Sequence, residues 1–363
     1  MINKLKIMVV DDTIIYRKIL KDIIAQFSNC ELVGTAPNGE ITLTKIKTLK
    51  PDLILLDVEM PRMDGLQTLK EIKKENEEIG VIMVSGVNER QATITMEALS
   101  NGAIDFVPKP IGNNLKSNIQ KLSTDLKPLI DIFYSKKEKH HRISPRRPIR
   151  KRVVTPRVKR KARAHSLAKM RSDRIDVLAV GVSTGGPNAL ASFIPKLPKD
   201  LGVPILLVQH MPATFTKSLA SHLNNKSELK VVEAEDGQYI QNNVVYIAPG
   251  SKHMVVNGAQ LSIIDTKPVN SCKPSVDVLF DSIPKKYKNN VLSVIMTGMG
   301  ADGLNGVKNL KKLGCYNVTQ SADSCVVYGM PRAVDEADLS DENIHLDSLA
   351  KRVTDIIKHG PKR

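Results

Sequence analysis

The sequence predicts two α/β domains joined by a strongly basic linker. The first would hold a five-stranded, doubly wound parallel sheet, and the second a mostly parallel sheet with a few antiparallel strands. Three observations carry this. Apolar runs of strand length alternate with helix-length periodic segments from residue 5 to about 134. The alternation stops over residues 135–173 and resumes over 174–358. The interruption also holds nearly all of the net charge of +16, because Lys136–Arg171 contains 16 Lys or Arg against one acid, Glu138. That segment carries +15, so the domains themselves are close to neutral.

In the first domain the strand-like runs are Leu5–Val10, Glu31–Ala36, Asp52–Val58, Gly80–Ser85 and Asp105–Val107. They are rich in Ile, Val and Leu with little polar alternation, as in strands buried on both faces of a parallel sheet. In the linker, Pro145, Pro148 and Pro156 stand among clustered cations with few apolar residues, a composition that cannot bury a core. In the second domain Ile175–Val180, Val203–Val208 and Leu292–Met296 predict buried strands. Val244–Ala248, Met254–Val256 and Gln260–Ile264 predict shorter ones around turns at Pro249-Gly250 and Asn257-Gly258. Ser275–Tyr287 and Gly303–Leu313 predict helices.

No stretch is long and apolar enough to span a membrane, and the N-terminal residues lack a secretory pattern. The expected location is the cytoplasm. The four cysteines, Cys30, Cys272, Cys315 and Cys325, form no C-x-x-C pair and no zinc spacing, so a reduced chain is expected and no spacing marks a nucleophile.

Ligands of an open parallel sheet sit at the carboxyl ends of its strands. Asp11 and Asp12 follow the first strand, Asp57 closes the third, Ser85 closes the fourth, and Lys109 follows the fifth. Three converging carboxylates call for a cation, and hard oxygen ligands suit Mg²⁺. A metal and an ammonium beside a free carboxylate suit phosphoryl transfer, with Asp57 of the middle strand as nucleophile. Taken singly, each Asp would be read as a helix cap or turn residue.

These residues resemble the response-regulator receiver family, through Asp11-Asp12, Leu55-Leu56-Asp57-Val58-Glu59-Met60-Pro61, Met63-Asp64-Gly65, Ser85 and Lys109-Pro110. The resemblance implies an aspartyl phosphate at Asp57, received from a partner histidine kinase. It implies Mg²⁺ held by Asp11, Asp12, Asp57 and the backbone carbonyl of Glu59. Ser85 and Lys109 would contact the phosphoryl group, and Phe106 stands where receivers carry a switching aromatic residue.

The first strand of the second domain runs into Gly181-Val182-Ser183-Thr184-Gly185-Gly186-Pro187. A Gly-x-Ser-x-Gly turn before a helix can present a nucleophilic hydroxyl, and a turn of this composition equally suits a phosphate. His210 ends the next strand and is the expected base, ahead of His222 and His253. Asp302 lies past a third strand end and is the expected orienting carboxylate; alone it would be read as a helix cap. The order Ser183, His210, Asp302 differs from the Ser-acid-His order of α/β-hydrolases, so the sheet is expected to be a different one.

With Gln209-His210-Met211, Tyr246–Gly250, Lys273-Pro274-Ser275-Val276-Asp277, Thr297–Gly303 and Ser324–Pro331 added, the second domain resembles the chemotaxis protein-glutamate methylesterase family, CheB. The resemblance implies hydrolysis of glutamate γ-methyl esters on methyl-accepting chemotaxis receptors and, in many members, deamidation of receptor glutamines. It assigns oxyanion donation to the backbone N–H of Met299, assisted by Thr184, and no cofactor to the esterase. It also implies that the receiver blocks the catalytic face until Asp57 is phosphorylated. The linker reads as a solvated spacer, with an acidic surface or an anionic membrane as the sharper alternative. A response regulator with a nucleic-acid-binding or adaptor output is the competing class. Esterase-like residues on three strand-end loops argue against it.

Overall fold

The computed structural model describes residues 4–112, 114–141 and 174–361. Most of the basic linker lies outside the described residues, and so do the expectations placed on it.

The first domain alternates strand and helix: β1 Leu5–Val10, α1 Ile14–Ala25, β2 Cys30–Ala36, α2 Gly39–Leu49, β3 Leu53–Asp57, α3 Gly65–Glu75, β4 Gly80–Ser85, α4 Glu89–Ser100, β5 Asp105–Pro108 and α5 Leu115–His141. The strands pair in parallel in the order β2-β1-β3-β4-β5. Every residue of β3 and β4 is buried, which explains their uninterrupted apolar sequence. Thr13, Asn38, Asp64 and Asn88 cap α1 to α4 with side-chain oxygens on the first-turn N–H groups. Each such cap stabilises its helix by about 1 kcal/mol. Helix α5 continues past residue 134, where the sequence places the end of this domain.

The second domain runs β6 Val177–Val182, α6 Gly186–Phe193, β7 Ile205–Gln209, α7 Ala213–Lys226, β8 Lys230–Glu233, β9 Val244–Ile247, β10 His253–Asn257, β11 Gln260–Ile264, α8 Val276–Ser282, α9 Pro284–Tyr287, β12 Val291–Ile295, α10 Leu304–Lys312, β13 Tyr316–Gln320, α11 Met330–Glu336, β14 Glu342–Ile344 and α12 Leu346–His359. Seven strands pair in parallel in the order β14-β13-β12-β6-β7-β9-β8. Of the three short strands expected in the middle, β9 joins this sheet; β10 and β11 form a separate antiparallel hairpin. The strand order reverses at β6, which has β7 on one side and β12 on the other. The crevice beyond the carboxyl ends of β6, β7 and β12 is therefore where a ligand belongs.

The two domains are packed together. Helix α4 and strand β5 of the first lie against α6 and α7 of the second. The rings of Phe106 and Phe215 stack with centroids 4.3 Å apart and planes at 30°, a contact worth about 1 kcal/mol beyond its buried area. Asn188 Nδ2 donates to the Ala103 carbonyl at 2.9 Å. The Ser100 hydroxyl and His222 Nε2 lie 2.8 Å apart. Among the described residues no helix is long and apolar enough to cross a membrane.

Candidate active site and phosphoacceptor site

The carboxyl edge of the first sheet brings Asp11, Asp12, Asp57 and Lys109 together as the sequence predicts. Asp11 and Asp57 are buried. Lys109 Nζ lies 2.8 Å from Asp11 Oδ2 and 2.9 Å from Asp57 Oδ2. The second oxygen of Asp57 accepts the Val58 N–H at 2.8 Å. Burial pushes the Asp57 carboxyl up to about 6, against the pull of Lys109. Gly65 is required here, because a Cβ at that position would stand 2.0 Å from the Asp57 carbonyl oxygen.

Oxygens of Asp11, Asp12 and Asp57 lie within 4.8 Å of one another. Such a set of hard donors fits Mg²⁺. The Ser85 hydroxyl is turned away, donating to the Gly86 carbonyl at 3.1 Å and accepting from Thr95 Oγ1 at 2.8 Å. The Glu59 side chain faces Gln91 and Arg90, which leaves only its backbone carbonyl for the cluster. Phe106 points to the other domain.

In the second sheet, Ser183 follows β6, His210 follows β7, and Asp302 lies beyond β12. The Ser183 loop is held on three sides. Its N–H donates to the Thr297 carbonyl at 2.9 Å. Its carbonyl accepts from Gly186 N–H at 2.8 Å and from Gln209 Nε2 at 2.9 Å. Gly298 permits the close approach of the β12 loop, since a Cβ there would stand 2.7 Å from that of Ser183.

His210 Nε2 lies 2.8 Å from Asp302 Oδ2. Asp302 also accepts from Asn270 Nδ2 and Ser275 Oγ, each at 2.8 Å, from Val276 N–H at 2.7 Å and from Asp277 N–H at 3.3 Å. Burial alone would raise the Asp302 carboxyl, but His210 and these donors hold it down at about 2. Burial alone would lower the His210 imidazole, but its hydrogen bonds to Asp302 and Cys272 outweigh that and hold it at about 9. The other ring nitrogen, Nδ1, lies 3.6 Å from Cys272 Sγ. Among the described residues no hydrogen bond joins the Ser183 hydroxyl to His210.

Asn270, Cys272 and Ser275 were not singled out by sequence as working residues. Ser275 belongs to the stretch Lys273–Asp277, which gives it no role of its own; nothing in the spacing of the other two points to Asp302 or His210. Met299 is half exposed beside Ser183, in the glycine-flanked loop after β12. Thr184 lends its carbonyl to Thr297 Oγ1 at 2.9 Å.

The first domain reaches this loop directly. The buried Asp105 carboxylate accepts the Gly185 N–H at 2.8 Å, two residues from Ser183.

Fold and sites together define a response regulator whose output is an α/β domain carrying serine, histidine and aspartate at one crevice. Residues 7–120 match the response regulator receiver domain, and residues 178–353 match the CheB methylesterase domain. A protein-glutamate methylesterase/protein-glutamine glutaminase of Desulfotalea psychrophila is 40% identical over 98% of this chain and 99% of its own. One from Clostridium acetobutylicum is 37% identical over the same shares, and one from Trichodesmium erythraeum is 39% identical over 96% and 98%. The chain belongs to this family, the CheB methylesterases with an N-terminal receiver. A nucleic-acid-binding or adaptor output finds no support in these matches.

Proposed function

We propose that this protein is a phosphorylation-controlled protein-glutamate methylesterase that releases methanol from glutamate γ-methyl esters on methyl-accepting chemotaxis receptors, and that it deamidates receptor glutamines at the same site. The observation that carries the reading is the His210–Asp302 pair, fixed by four further donors at the crevice where Ser183 is presented. Ester and amide share a γ-carbonyl, so one acyl-transfer site serves both.

Ser183 Oγ attacks that carbonyl and gives its proton to the ring nitrogen of His210 that Asp302 does not hold. Asp302 fixes the tautomer and stabilises the imidazolium. The N–H of Met299, with Thr184, receives the developing oxyanion; loss of one such donor costs about 10²–10³ in kcat. His210 then returns its proton to the leaving methanol or ammonia, and water resolves the acyl-enzyme. The esterase needs no cofactor.

Asp57 is the phosphoacceptor, supplied by a chemotaxis histidine kinase. Mg²⁺ held by Asp11, Asp12, Asp57 and the Glu59 carbonyl would neutralise charge during transfer. Lys109 pairs with the phosphoryl oxygens. Ser85, on turning to them, gives up Thr95 of the docking helix α4, and Phe106 moves off Phe215. Release of the receiver then uncovers the Ser183 loop. The protein acts in the cytoplasm, beside the receptors' cytoplasmic helices, and the linker acts as a charged spacer.

The test is methanol release from methylated receptor membranes, with and without a small phosphodonor. Ser183→Ala abolishes release, and Asp57→Asn leaves basal release but removes the stimulation. Release by Ser183→Ala, or stimulation of Asp57→Asn, would overturn the reading.

A further inference from the structure

The nitrogen of His210 that Asp302 leaves free faces a thiol. Nε2 is held by Asp302, so the other ring nitrogen, Nδ1, is the one turned toward Cys272 Sγ, at 3.6 Å. Cys272 closes a two-residue turn, in which Val269 and Cys272 exchange backbone hydrogen bonds of 3.1 and 2.9 Å. Both central residues, Asn270 and Ser271, have left-handed backbones, with φ of 52° and 62°. For serine that conformation is uncommon, and strain of this kind gathers at functional sites. Asn270 Nδ2 ties the turn to Asp302 and Asp277, each at 2.8 Å. The same aspartate therefore positions the imidazole and the turn that presents the thiol.

Cys272 is partly exposed, while Cys30, Cys315 and Cys325 are buried. Burial pushes the thiols of Cys30 and Cys315 up to about 11. Reactive cysteines are accessible and sit beside a group that takes or balances the proton, and Cys272 alone among the four meets both conditions.

We propose that Cys272 is a reactive thiol of the active site, served by the His210–Asp302 pair, and the point at which electrophiles and hydroperoxides inactivate the enzyme. The S–H bond breaks as its proton passes to Nδ1 of a neutral ring, or to water where the ring is already protonated, and in both cases a thiolate is left beside an imidazolium that Asp302 stabilises. With iodoacetamide the sulfur attacks the methylene carbon, an S–C bond forms and iodide departs with the C–I electron pair. With a hydroperoxide the sulfur attacks the terminal oxygen and the O–O bond breaks. The departing alkoxide takes the imidazolium proton, and the sulfur, oxidised by two electrons, becomes a sulfenic acid that dithiothreitol returns to the thiol. Either adduct stands against Nδ1 and denies it to Ser183. The labelling rests on the Cys272–His210 geometry alone, whereas the inactivation also rests on His210 being the esterase base.

The test uses the full chain at neutral pH with about one equivalent of iodoacetamide. Peptide mass spectrometry is expected to find Cys272 labelled ahead of the other three cysteines, with methanol release falling in step. His210→Gln is expected to slow the labelling roughly tenfold or more. If that variant does not fold, the labelling rate of Cys272 in the unaltered chain is compared with that of free N-acetylcysteine at the same pH. A rate no higher than the free thiol's overturns the proposal, and a rate roughly tenfold or more above it supports the pair. Cys272→Ser should lose no activity to iodoacetamide. Hydrogen peroxide should give a dimedone-trappable adduct at Cys272. Labelling unchanged by His210→Gln overturns the pairing, and methanol release that survives complete labelling overturns the inactivation. A chain that releases no methanol at all refutes the esterase reading, while the labelling rates still judge the thiol.

Discussion

At the residue scale, the proposed mechanism rests on how firmly Asp302 is held. Five donors converge on its two oxygens, so it stays ionised and keeps a proton on Nε2 of His210. Asp302→Asn removes the charge and should lower kcat about 10⁴-fold in methanol release, the scale expected when a triad histidine loses its carboxylate. The same pair sets a pH dependence. The folded pKa of His210, about 9, lies above that of a free imidazole, so its protonated form is favoured in the folded chain. The basic form is populated only as pH rises, and kcat/KM should climb through about 9; in Asp302→Asn the rise should move to lower pH. For stability the sign is opposite. The pair's contribution is full below the imidazole's unfolded pKa and is lost as pH rises through about 9. The meeting of Ser183, His210 and Asp302 at one sheet edge was legible in the sequence because each lies in the loop after an apolar run, and a parallel sheet gathers such loops. Asn270 and Cys272 were not, because an irregular turn with left-handed backbone carries them to the site.

At the element scale, the strands that could be read were those whose burial is apolar. Strand β13 was missed for a physical reason. Its sequence, Tyr316-Asn317-Val318-Thr319-Gln320, is mostly polar, yet every residue is buried. The polar groups have partners. Ser293 Oγ donates to Asn317 Oδ1 at 2.6 Å, Thr319 Oγ1 to Asp335 at 2.7 Å, and Thr297 N–H to Gln320 Oε1 at 2.9 Å. No pattern of hydrophobicity announces a strand whose side chains are satisfied in this way. The last of these bonds secures the β12 loop, where Gly298 passes Ser183. Gly298→Ala would force the two apart and should cut methanol release at least ~10²-fold, the cost of a small misplacement of a nucleophile. Phosphorylation of Asp57 should proceed at its normal rate in that variant. A parallel loss of phosphorylation, followed with a labelled phosphodonor, would show the damage to be general.

At the scale of the whole molecule, the receiver is docked onto the loop that carries Ser183, the proposed nucleophile. Asp105→Ala removes the acceptor of the Gly185 N–H, and should raise basal methanol release several-fold while shrinking the stimulation by phosphodonor. Unchanged basal release would count against inhibition through this contact. Burial in the docked state pushes the Asp105 carboxyl up to about 6. Undocking would return it toward the ordinary range near 4. The docked state therefore binds the proton more readily, so docking tightens as pH falls through about 6 and loosens above it. Basal release of the unphosphorylated chain should rise across that window, less steeply in Asp105→Asn. The division into two α/β domains was legible in the sequence from composition. The seat of one domain on the other was not, because Asp105, Phe106 and Phe215 look like ordinary strand and helix residues until they meet.

Strand β5 and the residue after it reach both sites within five positions. Lys109 faces Asp57, Phe106 meets Phe215, and Asp105 holds Gly185. At strand spacing that stretch is about 13 Å long. A single residue inserted or deleted within it would turn the side chains beyond to the opposite face, and Lys109 would lose Asp57 if Asp105 kept its place. The first constraint on this segment is therefore its length: whatever side chains it carries, its five positions set which face each one meets.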